Sequence, residues 1–209
     1  MSRIITRSSR FFPALVATLS AIALIPAGAS AATGYFGSSL NHDPANAGAS
    51  CNPDFSAPSP NCTHVGSYYP GFSGHAKAAT NGTITQIRVL AQGPMTMKFK
   101  LVQVRNVSAD HRSGQVKVIT AGPTLNVTGP STDQASNGIY PVESFPVHIH
   151  VQKGQELAID TNNNQAEDCS DGTPGQLTFS DPILKAGQGF HSANGVDDCL
   201  LLVQAVVKH

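Results

Sequence analysis

Alternation of apolar and polar side chains over residues 95–101 is the feature that most limits how this chain can fold. In an extended strand, successive side chains point to opposite faces, so this alternation gives one apolar and one polar face. The residues expected on the apolar face are Met95, Met97, Phe99 and Leu101, and those expected on the solvent face are Thr96, Lys98, Lys100 and Val102. The segment is therefore predicted as a strand that covers a core with one side.

Other segments of strand type follow, and turns rich in Gly, Pro and Asn separate them. They are Thr83–Ala91, Gln115–Ala121, Leu125–Val127, Gly138–Val151, Gln155–Thr161, Leu177–Ser180 and Cys199–Val207. The last one is apolar on both faces, which is typical of a strand in the middle of a sheet. Without an amphipathic helix pattern, the fold class is predicted as all-β, an antiparallel two-sheet β-sandwich of jelly-roll or immunoglobulin-like kind over residues 75–209.

The first 31 residues have the pattern of a secretory signal peptide. Three arginines precede an apolar run from Phe11 to Ile25, and the small residues up to Ala31 supply an Ala-x-Ala cleavage site. A transmembrane anchor is the alternative, but the run is shorter than the roughly 20 residues that span a bilayer. We therefore expect cleavage after Ala31, a secreted, extracellular protein, and no membrane span in the mature chain.

The charge balance excludes one class of partner. The chain has 13 basic and 13 acidic residues, and removal of the three signal-peptide arginines leaves 10 against 13, a net charge of −3. Proteins that bind nucleic acids through backbone phosphates carry a basic patch or stripe. A nucleic-acid partner is therefore not expected.

Residues 32–74 contain many Gly, Ala, Ser, Pro and Asn residues and few regularly spaced apolar ones, which predicts an irregular N-terminal arm. The four cysteines of an exported chain predict disulfides, with three possible connectivities. Pairing of sequence neighbours is favoured, Cys51 with Cys62 and Cys169 with Cys199. The first bridge would tie the arm down.

His148-x-His150 is the sharpest candidate for a metal site. Two imidazoles placed two residues apart on a strand point to the same side and can share a metal ion. Cupin-type sites have a carboxylate a few residues further on and a Gly six residues before the first His. Here Glu156 lies too far along and Val142 replaces the Gly, so a pair of exposed strand histidines is the alternative interpretation.

The second candidate is an oxygen-rich loop of a kind that suits Ca²⁺. Its ligands would be Asp160, Asn162, Asn164 and Asp171. Gln165 replaces the Gly that makes the sharp turn of a twelve-residue calcium loop. A solvated loop tied by Cys169 is the alternative, so Ca²⁺ is left open and no other cofactor is expected.

Motifs for hydrolysis are weak. Gly71-Phe72-Ser73-Gly74-His75 places a serine between glycines, but it lacks the Gly-x-Ser-x-Gly spacing and the strand-to-helix setting of a nucleophile elbow. It is predicted as a turn, and no residue is assigned a catalytic role. The absence of Trp weighs against glycosidase and sugar-binding roles.

A turn-and-strand pattern marks the C-terminal half. It consists of Val151–Asp160, the Asp181-Pro182-Ile183-Leu184 step and the closing Leu201–Val207. The pattern resembles that of secreted bacterial β-sandwich proteins, most without an assigned activity, whose turn reads Val-x-x-Gly-Asp where this chain has Gln155. The resemblance covers about residues 83–207 and implies a fold, an extracellular compartment and a bacterial source, but no reaction.

The sequence alone favours a secreted, non-catalytic β-sandwich module with a binding, surface or structural role and an unknown ligand. An extracellular protein or a glycan surface is the partner class left open. One alternative is a sandwich that binds Ca²⁺ or a transition metal. The other is an extracellular enzyme whose site is not evident from residue spacing.

Overall fold

The computed structural model describes residues 32–45, 62–161, 163–170, 172–180 and 183–209. The strands are β1 (Thr33–Ser38), β2 (Cys62–Gly66), β3 (Gly74–His75), β4 (Gly82–Leu90), β5 (Met95–Arg105), β6 (Gln115–Val127), β7 (Val142–Val151), β8 (Glu156–Thr161), β9 (Glu167–Asp168), β10 (Gln176–Ser180), β11 (His191–Ser192), β12 (Gly195–Asp197), β13 (Leu200–Leu201) and β14 (Val203–Lys208). A short helix, α1 (Thr132–Ser136), begins with a capping box formed by Ser131 and Gln134. In these ranges no helix is long and apolar enough to cross a membrane.

The strands form two large sheets and one two-stranded ribbon. The five-stranded sheet has the order β3-β1-β14-β4-β7, the seven-stranded sheet has the order β11-β6-β5-β8-β2-β10-β12, and β13 pairs with β9. All strand pairs are antiparallel, and one sheet curls into a half-barrel. The predicted all-β antiparallel class is confirmed. The strand predicted over Cys199–Val207 is divided in two, since Leu200–Leu201 forms β13, which pairs with β9, and Val203–Lys208 forms β14, which lies between β1 and β4 inside the five-stranded sheet.

Two apolar clusters lie on opposite faces of the seven-stranded sheet. The first joins both large sheets and includes the alternating stripe of β5, in which Met95, Met97, Phe99 and Leu101 are at most 5% exposed. The second contains the intervening positions, such as Val102 of β5 and Ala158 of β8, together with Leu184 from a loop. Because alternate residues of one strand enter different clusters, the middle of this sheet is apolar on both sides.

The solvent face predicted for β5 is wrong at Lys100 and Val102. Thr96 and Lys98 are exposed, but Lys100 is only 3% exposed and Val102 is fully buried. The second cluster covers this half of the strand, and the Lys100 ammonium group donates to the Asp160 carboxylate and to a loop carbonyl there. A buried charge persists where a partner and hydrogen bonds compensate the loss of hydration.

The irregular arm predicted for residues 32–74 is also wrong for the described part of that segment. β1 pairs with β14, and β2 lies between β8 and β10 inside the seven-stranded sheet. All five residues of β2 are buried. Alternation does not reveal this strand because its side chains are small or polar, with Val65 as the one aliphatic residue. Its burial follows from the neighbours on both sides.

The predicted disulfide between Cys169 and Cys199 is confirmed, with Cα atoms 4.1 Å apart. It lies in the C-terminal part of the chain. The other predicted bridge includes Cys51, which lies outside the described residues, as does the predicted signal peptide of residues 1–31. The domain boundary at residue 75 stays a prediction.

Candidate functional site

Three polar side chains from distant parts of the chain form a hydrogen-bonded row. Ser73 Oγ lies 2.9 Å from His42 Nε2, and His42 Nδ1 lies 3.0 Å from Asp168 Oδ2. These contacts join the same atoms that connect nucleophile, base and orienting acid in a serine triad. His42 is 31 residues from Ser73 and 126 residues from Asp168, so no local motif marks this Ser73–His42–Asp168 row.

Backbone contacts hold the serine and histidine ends of the row. Ser73 lies in the predicted turn, where its N–H donates to the Pro70 carbonyl and its own carbonyl accepts from the Ser39 N–H. Leu40, two residues before His42, has a φ of 57°. This left-handed conformation is uncommon for a residue other than glycine, and conformations of this kind cluster at functional sites.

The acid of the row is fixed by β9. Asp168 Oδ1 accepts hydrogen bonds from the backbone N–H and the hydroxyl of Ser170, at 3.0 and 2.6 Å, and its Oδ2 faces His42. The side chain of Asp168 is 3% exposed and that of His42 is 27% exposed. The row therefore runs from a buried carboxylate to a histidine in contact with solvent.

An open cleft of about 360 Å³ begins at the residue after Ser73. Its lining residues are Tyr68, Tyr69, Gly74, His75, Ala76 and Lys77. The buried carboxylate of Glu156 lies near one wall, with Oε1 3.7 Å from Lys77 Nζ. Burial raises the pKa of Glu156 to about 8, although Lys77 acts in the opposite direction.

A second polar group lies next to the row, because Glu167 precedes Asp168 on β9. It contains His64 of β2, Glu167 of β9, Gln176 of β10 and Asp197 of β12, and we call it the His64 group. His64 Nδ1 lies 2.9 Å from both Glu167 Oε1 and Gln176 Oε1. The four residues are at most 7% exposed.

Hydrogen bonding in the His64 group is incomplete. Among the residues that the structure describes, neither carboxylate oxygen of Glu167 makes a hydrogen bond of acceptable geometry, and the same holds for His64 Nε2 and Gln176 Nε2. Burial lowers the pKa of His64, but the negative charge of Glu167 at close contact, the charge of Asp197 and the hydrogen bond to Gln176 outweigh it, so this pKa is raised overall. The surroundings of the imidazole are therefore negative.

The predicted histidine pair lies apart from both groups. His148 and His150 are exposed on β7, an edge strand of the five-stranded sheet, with ring centroids 5.9 Å apart. Their shared side of the strand agrees with the sequence. In the described part of the chain, no third His, Cys or carboxylate approaches them closely enough to share a metal ion.

The predicted calcium ligands are only partly described. Asp160 is buried and accepts from Thr63 and from the ammonium group of Lys100. Asn164 is also buried. The remaining predicted ligands, Asn162 and Asp171, lie outside the described residues, so this site stays a prediction.

One sequence signal marks the acidic residues of the row and of the His64 group, which the sequence analysis did not assign to a site. Glu167-Asp168 directly precedes Cys169, and Asp197-Asp198 directly precedes Cys199. This acid-acid-Cys pattern occurs at both ends of the confirmed disulfide, so the bridge brings the two acidic segments together.

The comparisons with known proteins found no match to this chain among family models, curated proteins or solved structures.

Proposed function

We propose that the protein is a secreted serine-type hydrolase that transfers an acyl group from an ester to water at the Ser73–His42–Asp168 row. The observation that carries this proposal is the atom pairing. The serine Oγ lies 2.9 Å from Nε2, and the carboxylate lies 3.0 Å from the other ring nitrogen, Nδ1. Both distances are within the range of hydrogen bonds that serve proton transfer.

In the proposed reaction, Ser73 Oγ attacks the ester carbonyl while His42 Nε2 takes the hydroxyl proton. The proton then passes from Nε2 to the alcohol that leaves, and an acyl-serine remains. Water attacks the acyl carbon with His42 again as base, and the acid and free Ser73 are released. Asp168 keeps the proton on Nδ1 and stabilises the imidazolium that forms.

The cleft beside Ser73 suits a small ester with an acidic group. Its volume of about 360 Å³ is within the range of small-molecule sites. Tyr68 and Tyr69 supply aromatic surface, and the side chain of Lys77 is 58% exposed. Because Glu156 has a pKa of about 8, it is mostly protonated at neutral pH and leaves the Lys77 charge available to a substrate carboxylate.

Secretion is part of this proposal. The disulfide supports an oxidising compartment, in agreement with the signal-peptide pattern. The jelly-roll or immunoglobulin-like type of sandwich and the bacterial source also stay proposals that rest on the sequence pattern.

Labelling of the full chain with a fluorophosphonate probe tests the nucleophile. We expect one adduct, located on Ser73 by peptide mass spectrometry and absent in Ser73→Ala. Ser67→Ala is the matched control, since Ser67 is a similarly buried serine on the same segment and should leave labelling unchanged. Hydrolysis of p-nitrophenyl acetate should fall about 10³-fold in Ser73→Ala and in His42→Gln.

The proposal fails if the probe labels no serine or labels Ser73→Ala as strongly as the wild type. That result would favour the secreted non-catalytic module expected from the sequence, with the row as a structural network that joins the segment after β1 to β9.

A further inference from the structure

The His64 group places two acidic side chains, Glu167 and Asp197, beside one imidazole in a region that is at most 7% exposed. Both carboxylate oxygens of Glu167 and the Nε2 atom of His64 are buried there and find no hydrogen-bond partner of acceptable geometry among the described residues. Buried charges are costly unless they are paired and hydrogen-bonded or coordinate a metal.

The distances in the group are close to those of ligands around a common ion. Glu167 Oε1 lies 2.9 Å from His64 Nδ1, yet this oxygen makes no hydrogen bond of acceptable geometry within the described residues. Ligands at about 2.1 Å from one metal ion lie about 3.0 Å apart in octahedral and about 3.4 Å apart in tetrahedral geometry, so these two atoms would have to separate by only a few tenths of an ångström. The donor atoms of His64, Glu167 and Asp197 all lie within 4.8 Å of one another.

We propose that His64, Glu167 and Asp197 bind one divalent transition-metal ion, with Zn²⁺ as the ion of best fit and Gln176 Oε1 as a further ligand. Imidazole nitrogen and carboxylate oxygen are ordinary Zn²⁺ ligands, whereas Ca²⁺ takes oxygen ligands alone. A divalent ion would neutralise the two carboxylates and supply the bonds that the Glu167 oxygens lack.

Burial assigns this ion a structural role. His64 and Gln176 are 0% exposed and Glu167 is 1% exposed, so a substrate cannot reach the ion. The ion would join β2, β9, β10 and β12. Since Asp168 follows Glu167 on β9, it would also fix the strand that carries the acid of the Ser73–His42–Asp168 row.

Metal analysis of the full chain tests the proposal. After removal of metal with EDTA and titration with Zn²⁺, we expect one Zn²⁺ per chain by elemental analysis. Glu167→Gln, which keeps the size of the side chain, should weaken Zn²⁺ binding at least about 100-fold. The double variant His148→Gln/His150→Gln is the matched control and should bind Zn²⁺ like the wild type.

X-ray absorption spectroscopy of the wild-type Zn²⁺ complex identifies the ligands directly, and it does not require the Glu167→Gln variant to fold. We expect one imidazole nitrogen and oxygen ligands at about 2.0–2.2 Å. Failure of the wild type to bind one Zn²⁺ overturns the proposal, as does a shell with two or more imidazoles. Loss of Zn²⁺ in the His148→Gln/His150→Gln variant instead of Glu167→Gln assigns the ion to the exposed pair. Fluorophosphonate labelling is measured separately, so the hydrolase proposal and the metal proposal can fail independently.

Discussion

Replacement of Glu156 by Gln is expected to change how the stability of the protein depends on pH. The carboxylate is 1% exposed, and neither of its oxygens has a hydrogen-bond partner in the part of the chain that the structure describes. The ionisable groups near it are Lys77, with Nζ at 3.7 Å, and the neutral phenol of Tyr69, whose own pKa is raised by burial and by Glu156. Burial thus favours the protonated form of Glu156, and the pKa rises from 4.5 to about 8.

The sign of the effect follows from the two pKa values. Below pH 4.5 the carboxyl group is protonated in both the folded and the unfolded chain, so ionisation does not affect folding. Between pH 4.5 and about 8 the unfolded chain loses the proton and the folded protein keeps it, so the free energy of unfolding decreases as pH rises. The full difference between the pKa values corresponds to about 5 kcal/mol.

Urea unfolding followed by far-ultraviolet circular dichroism, from pH 4 to pH 9, measures this effect. The free energy of unfolding of Glu156→Gln minus that of the wild type should increase by several kcal/mol over this range and level off above pH 8. Asp133→Asn, a change to an exposed acid on α1, should give a profile parallel to the wild type. Lys77→Met removes the nearby cation that lowers the pKa of Glu156. In that variant the free energy of unfolding should therefore level off at a higher pH than in the wild type.

Parallel pH profiles for the wild type and Glu156→Gln, within about 0.5 kcal/mol, would refute the reasoning. Such a result would mean that water or a rearranged side chain hydrates the carboxylate in the folded protein.

Three further changes have defined expected outcomes. Lys100→Met leaves the Asp160 carboxylate buried without its cation, so thermal and urea unfolding should show a loss of about 3–5 kcal/mol, part of which Asp160→Asn in the same chain restores. The Cys169→Ser/Cys199→Ser variant should lose about 2–5 kcal/mol in the same assays. Gly37→Ala should lower the melting temperature, because Gly37 has a φ of 93° and a Cβ there would lie 2.3 Å from a backbone carbonyl oxygen of β14.

The sequence predicts elements whose side chains repeat with a period of two. The stripe from Met95 to Leu101 is buried as expected, and His148 and His150 share an exposed side of β7. Both results depend on strand geometry alone. The confirmed disulfide was predicted for a different reason, because an even number of cysteines favours disulfides and Cys169 and Cys199 are neighbours among the cysteines, 30 residues apart.

Features that depend on contacts between distant segments could not be predicted in this way. Alternation places Lys100 on the face opposite the apolar stripe, which predicts exposure to solvent. It does not show that a second apolar cluster covers that face of the sheet. β2 was missed because residues such as Thr63 and Gly66 become buried through their neighbours and not through their own hydrophobicity. The pairing of His42 with Asp168 spans 126 residues, and spacing along the chain does not encode it.

The position of β2 between β8 and β10 has a consequence for how the chain reaches its native state. Contacts across these strand pairs join residues 97 and 112 positions apart, and chains dominated by such non-local pairings fold slowly. During synthesis, Cys62–Gly66 is made long before the strands β8 and β10 that pair with it. Until then both edges of this segment lack their partner strands. Open edges pair readily with other chains. The yield of refolding from denaturant should therefore decrease as the protein concentration is raised, even though the finished fold buries the same strand completely.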